Sequence, residues 1–538
     1  MGRPPIQVPE GLRERLEAVE KYCLVKPDPP ESDAANAKGT VSLTTRKGLA
    51  ILLRDVENMS DSHYRDVLAN KAALRPREIK AICTKYVGAT PDMMTVPLLT
   101  EFKALLQKEI GAQKDWIKAK EYYEASRAKL APYVKPYYIN VDDTPDFPLI
   151  AKEGWLLERP FEVTPNLPGF SASEAELIGS STASFHWNRQ EVPLLRGTHI
   201  SYSDIKGRDL GRRHFYDAPL YRLVGIEPRQ GRPHQLRFDG GWYFDFINGL
   251  EVLGVELAAL HRDCQKSGAG LSVFGDADLP MRGQPERALA LADRPCATGL
   301  NTLLIVLHHT GHVFYMHKRE AIGEAPNIWH IVPSGTFQPE RLPSVEIGPD
   351  PMLNYSLWRT AFRELGEELL GVPEFEVWPL SRDSEINPPD SKEPEVTASA
   401  EFIQRIAGLA SGRRPEAERL RQIQQEIERY TAGKGRLYQA LAMTKQGKAK
   451  FFYLGCGLDP VSTKPELLCC LVLDLRDKQR FESVSNFEGK AHSISLSSDH
   501  LREWSEREDV LPAGQACLRL VADRHIKDIA AGFNVDIA

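Results

Sequence analysis

The residues best placed to do chemistry are Glu364, Glu367 and Glu368. At roughly 100° per residue on a helix they fall within about 100° of one another. Three like charges so close repel, which costs stability unless cations balance them. Arg363 can pair with Glu367 four residues on, but one guanidinium does not neutralise three carboxylates. A hard divalent ion would, since Mg²⁺ takes carboxylate oxygens and keeps waters for a phosphate-bearing substrate. The plainer alternative is a solvated acidic helix face.

The element that must hold these carboxylates is an amphipathic helix. Trp358, Phe362, Leu365 and Leu369 lie within an arc of roughly 60°, a stripe that docks the helix on a core. Upstream, residues 301–309 read as a strand, Thr310-Gly311 as a turn and 312–319 as the hairpin partner. Residues 328–335 read as a further strand and loop. Strand patterns return at 437–443, 451–454 and 467–475, and a helix over 515–522 follows Pro512-Ala513-Gly514.

Arg363-Glu364-Leu365-Gly366-Glu367-Glu368 matches the Arg-Glu-apolar-x-Glu-Glu core of the Nudix hydrolase box. With the flanking strands, and with Trp329, Pro333-Ser334-Gly335 and Phe337-Gln338-Pro339, the C-terminal part resembles a divergent branch of that family. The resemblance implies a Nudix-like α/β/α sandwich over residues 296–538, interrupted by an insertion at about 380–435. It implies metal-binding glutamates at Glu364, Glu367 and Glu368, a structural arginine at Arg363, and Mg²⁺ or Mn²⁺ as cofactor. The implied reaction is hydrolysis of a nucleoside-diphosphate-linked or other diphosphate substrate. Lys318 and Arg319 at the end of the second strand, and Gly335 in the box loop, become candidates to steady that substrate. The box departs from the family pattern in four places. Ser334-Gly335 replaces the usual glycine pair, residues 336–353 lengthen the loop, Tyr355 stands where the mid-box glutamate belongs, and Gly371 comes one place late. These departures keep a second reading open, a Nudix-like sensor that binds a nucleotide metabolite without turnover.

Ahead of this region the pattern predicts two further domains and an α/β protein overall. Residues 1–140 are helical, and 60–87 loosely resemble a helix-turn-helix bundle. No helix there carries an array of Arg, Asn and Gln to read base edges, so a packing or interaction role is expected before DNA binding. Residues 141–295 read as an α+β domain, with strands at 221–227, 234–238 and 241–247 and a helix over 250–260 capped by Asn248. Lys206, Arg208, Arg212, Arg213 and His214 form the densest cationic cluster, suited to a phosphate or to an exposed loop.

Composition excludes several classes. At 538 residues, 42% hydrophobic and 26% charged, the chain has the make-up of a multidomain globular protein. A net charge of −6 argues against wholesale wrapping of nucleic acid. No apolar run approaches the ~20 residues of a membrane span. The eight cysteines form no Cys-x-x-Cys pair and read as buried thiols of a reducing compartment, so the cytoplasm is the expected location. Gly-x-Ser-x-Gly and the phosphate-loop motif are both missing. His308 and His309 point to opposite faces of one strand, so a histidine metal site with His312 and His317 is not expected.

Overall fold

The computed structural model describes residues 96–537 except 166–172, 180–184, 191–192, 197, 199, 211–216, 230–231, 268–277, 320–327, 340–354, 371–419, 422–441 and 478–488. The helix-turn-helix-like block and nearly all of the expected insertion therefore lie outside the described residues. The same holds for Arg212, Arg213, His214 and the side chain of Arg208. Of that cationic cluster only Lys206 is described, and it is buried.

The described residues fall into two compact units, one ending at Ile117 and taking in Leu194–Asp209, the other made of Lys118–Pro193 and Leu210–Ala538. In the first, Trp116 Nε1 donates to the Arg196 carbonyl at 3.2 Å. Helix α1 (Val96–Val134) begins in the first unit and ends in the second. In chain order there follow β1 (Leu156–Val163), α2 (Glu174–Ile178), α3 (Tyr202–Leu210), β2 (Pro219–Arg229), β3 (Arg232–Trp242) and α4 (Val252–Ser267). Then come β4 (Gly299–His308), β5 (Gly311–Arg319), β6 (Trp329–Ile331), β7 (Ser334–Thr336) and α5 (Leu357–Leu369). The chain closes with β8 (Ala449–Leu458), β9 (Pro465–Asp474), β10 (Gly489–Ser495), α6 (Ser498–Ser505), α7 (Pro512–Leu520) and α8 (Ile526–Ala531). The fold is mixed α/β at this level, and no described helix is long and apolar enough to cross a membrane.

The main sheet runs β1-β8-β9-β4-β5-β10, with β6 added on β5 and β7 on β4. Its centre is the parallel pair β4 and β9, in register from Gly299↔Glu466 to Leu307↔Asp474. Residues 467–473, Leu-Leu-Cys-Cys-Leu-Val-Leu, are all buried, as a strand covered on both faces requires. Side-chain parity identifies the two covers. Leu300 pairs with Gly335 and Asn301 with Ser334, so Gly335 and Asn301 address opposite faces. The Glu364 carboxyl of α5 lies against Gly335, while the Asn301 amide meets His330, whose ring lies against Gly514 of α7. Helices α5 and α7 thus pack on opposite sides of β4.

Three expectations are corrected. Residues 241–247 are not a third strand: β3 ends at Trp242, and the chain turns into helix over Tyr243–Phe246 and a π-helical run over Ile247–Glu251. Asp217 accepts the Phe244 amide at 2.9 Å, an N-terminal cap from a distant residue that no local pattern announces. Asn248 sits buried inside the π-helical run rather than capping α4. Residues 442–445 are helical where 437–443 read as strand. Strand β1 pairs antiparallel with β8 at one edge of the main sheet.

On the α7 side of β4, Asn301 Nδ2 donates to Glu466 Oε2 at 2.7 Å, and Lys464 Nζ stands 3.4 Å from Glu466 Oε1. Burial raises this carboxyl above its usual range. A Cβ on Gly299 would overlap Oε2 of Glu466. Gly299→Ala should therefore destabilise the protein by about 1–3 kcal/mol or more in urea unfolding. Gly111→Ala, with open space around its Cβ on α1, should instead stabilise by up to ~1 kcal/mol. Equal midpoints for Gly299→Ala and the wild type would refute this packing.

Candidate functional site

Helix α5 is fixed at its head by two caps. The Ser356 hydroxyl accepts the Arg359 amide at 3.1 Å. Glu174 of α2, 184 residues earlier, accepts the Trp358 amide at 2.9 Å. A carboxylate suits the positive end of a helix, yet Glu174 is only 2% exposed. Burial raises its carboxyl from the ordinary 4.5 to about 7, against the hydrogen bonds from Trp358, Ser356 and Leu357 and the charge of Arg359. Desolvation wins.

The stripe of Trp358, Phe362, Leu365 and Leu369 is buried at 1% exposure or less, with the Trp358 and Phe362 rings 4.3 Å apart. At ~1.5–3 kcal/mol per side chain, this burial far exceeds the few tenths of a kcal/mol that each like-charge pair costs on a helix. The acidic face is tolerated because the other face docks.

The acidic face itself is built around Arg363, a guanidinium 1% exposed. Its Nη2 stands 2.5 Å from Glu364 Oε1 and 3.3 Å from the Thr336 carbonyl, and its Nε stands 3.7 Å from Glu367 Oε1. Glu368 Oε2 accepts the Ser334 amide at 2.8 Å. A Cβ on Gly335 would overlap the Glu364 carboxyl, so only glycine lets β7 approach α5 here. The structure thus brings Arg363, Glu364, Glu367, Glu368 and Gly335 together. The carboxylates were expected to project as a group, but Glu364 and Glu368 are buried and only Glu367 is half-buried.

Oxygen donors of this kind suit Mg²⁺ or Mn²⁺. In the arrangement seen each is engaged by the protein, Glu364 and Glu367 by Arg363 and Glu368 by the Ser334 amide. Among the described residues no three His, Cys, Asp or Glu side chains are arranged to hold a metal ion. Lys318 is exposed and places Nζ 5.6 Å from the centroid of the Trp329 ring, while the Arg319 side chain lies outside the described residues.

Tyr355, two residues ahead of α5, is the hub of an aromatic cluster. Its ring lies 5.0 Å from Tyr221, 5.3 Å from Phe185 and 5.6 Å from Phe337, stacked on the last. Its hydroxyl donates to the Ile178 carbonyl at 2.9 Å. This cluster ties the β2–β3 hairpin and α2 to the start of α5. Glu174 escaped the sequence reading because nothing local marks a carboxylate as the cap of a helix so far away.

The Glu174 shift has a defined sign. A carboxyl raised in the folded state favours folding below its unfolded value near 4.5, and that contribution is lost as pH rises through 7. Relative to Glu174→Gln, the wild type should lose on the order of 3 kcal/mol between pH 5 and pH 8. Denaturant unfolding of both proteins at the two pH values checks this, and parallel profiles would count against a buried ionising Glu174. Searches of the chain against protein-family models and against curated proteins gave no match.

Proposed function

We propose that the α5–β7 face belongs to a Nudix-like domain that hydrolyses a diphosphate linkage in a nucleotide-type small molecule. The observation that carries this proposal is the buried Arg363 between Glu364 and Glu367, with Glu368 on the Ser334 amide and a bare Gly335 alongside. Three carboxylates within about one helical turn repel one another, and Arg363 balances two of them. Arg363 orients Glu364 and Glu367, and the Ser334 amide sets the direction of Glu368. Gly335 keeps the β7 backbone close enough for its amide and carbonyl groups to meet a substrate. Glu364, Glu367 and Glu368 would hold Mg²⁺ or Mn²⁺ once turned away from Arg363 and Ser334, and that ion supplies Lewis acidity and a more acidic bound water.

A second reading is favoured by Tyr355. Where the resembling box supplies another carboxylate, this chain supplies a phenol committed to an aromatic cluster, which lowers the donor count available for chemistry. A sensor needs only ground-state contacts, whereas catalysis needs contacts specific to the transition state.

A screen for phosphate release over nucleoside diphosphates and nucleotide sugars, with and without Mg²⁺ or Mn²⁺, separates the two. For the hydrolase, turnover should be metal-dependent, and Glu367→Gln should lower kcat by at least ~10²-fold while substrate affinity changes little. Tight nucleotide binding with no metal-dependent product across the panel would establish the sensor instead.

A further inference from the structure

The centre of the main sheet is a seam between two hairpins, and each hairpin is aligned by its own turn. In the β4–β5 hairpin, His309 and Thr310 form the turn and Gly311, at φ 139°, faces His308 across it. In the β8–β9 hairpin the connection 459–464 is held by its own bonds. The Asp459 amide donates to the Lys464 carbonyl at 2.9 Å, and Thr463, at φ 57°, donates its amide to the Asp459 carbonyl at 2.6 Å. Turns of fixed geometry set the register of the strands they join. The seam strands β4 and β9 are not joined by a turn, since β5 follows the first and β8 precedes the second.

The apolar pattern does not align them either. Residues 303–307 on β4 and 467–473 on β9 are apolar on both faces and 1% exposed or less. Where only one face is apolar, a slip of one place sends the wrong side chains to solvent. Here a slip of one or two places still sets leucine, isoleucine, valine or cysteine against residues of the same kind. Burial therefore discriminates little between alignments.

The polar side chains of the seam break that degeneracy. They are Asn301 and Thr302 on β4 and Glu466 on β9. Asn301 and Glu466 are each 5% exposed. Asn301 Nδ2 donates to Glu466 Oε2 at 2.7 Å and to the Leu467 carbonyl at 3.4 Å. Its Oδ1 is 2.8 Å from His330 Nε2 on β6. With both amide hydrogens given, Oδ1 accepts, and the amide has one orientation. Glu466 stands opposite Gly299, where no Cβ competes for the space its carboxylate fills. A slip of one place would turn Glu466 to the face away from Asn301. A slip of two places would keep the face but carry the carboxylate about 7 Å out of the Gly299 recess. A buried carboxyl that loses its donor is strongly disfavoured.

We propose that the Glu466–Asn301–His330 chain is the register key of the main sheet, selecting one alignment of β4 on β9 rather than adding to the stability of that alignment. Buried polar groups act in this way where an apolar contact is degenerate. Through His330 the same key ties β6 to the chosen alignment.

Methyl-resolved magnetic resonance of the full chain, together with urea unfolding, tests the assignment. In the wild type and in Glu466→Gln, which keeps an acceptor for Asn301, the leucine and valine methyls of 467–473 should each give one signal. The triple variant Asn301→Leu/His330→Phe/Glu466→Met replaces the whole chain by apolar groups of similar bulk. Its unfolding midpoint should match or exceed that of the wild type. A second set of signals, confined to β4 and β9, should appear at no less than about a tenth of the total intensity. One set of signals from the folded triple variant would overturn the proposal. So would doubled signals in Glu466→Gln, or a triple variant that does not fold, since the chain would then be required for stability itself.

Discussion

A buried guanidinium governs the arrangement around α5. The Arg363 guanidinium is buried, so its charge must be met inside the protein. Glu364 and Glu367 supply opposite charge, and the Thr336 carbonyl supplies an acceptor from β7. Those contacts draw β7 against the helix until no side chain fits at position 335. Glu368 on the Ser334 amide closes the same junction from one turn further on. Glycine at 335, the short strand and the carboxylate directions are therefore one linked solution.

The head of α5 is set by partners remote in sequence. Glu174 caps it from α2, and Tyr355 anchors it in a ring cluster with Tyr221 of β2, Phe238 of β3 and Phe337 after β7. The hairpin is joined again through backbone: the Tyr221 amide donates to Phe337 at 3.0 Å and the Leu223 amide to Cys296 at 3.1 Å. The hairpin and the main sheet thus share one aromatic core, and the junction in front of α5 is where they meet.

What the amino-acid order revealed follows from where the forces are local. The stripe of Trp358, Phe362, Leu365 and Leu369 repeats at the period of its helix, and 303–307 and 467–473 run apolar without a break, so their burial was legible. The grouping of Arg363 with Glu364, Glu367 and Glu368 was legible for the same reason. The direction of each carboxylate was not, because the Ser334 amide turns Glu368 and the Thr336 carbonyl turns Arg363, and both partners lie far back in the sequence. Trp242, Phe244 and Phe246 alternate like a strand, yet Asp217 caps the Phe244 amide and turns the chain into helix. Asn301 and Glu466 look like ordinary polar residues until the pairing of β4 with β9 sets their side chains together.

The pairing of the main sheet also sets the order in which a growing chain can complete it. Val163 of β1 waits for Phe451 of β8, and Leu300 of β4 waits for Leu467 of β9. At about 5–20 residues per second, synthesis takes on the order of tens of seconds to cross such intervals. Throughout that time β4, apolar on both faces, has its hairpin partner β5 on one edge and nothing on the other. An unpaired apolar edge is a template for misassociation. A strand buried along nearly its whole length in the finished molecule thus keeps one open edge while the chain is still being made.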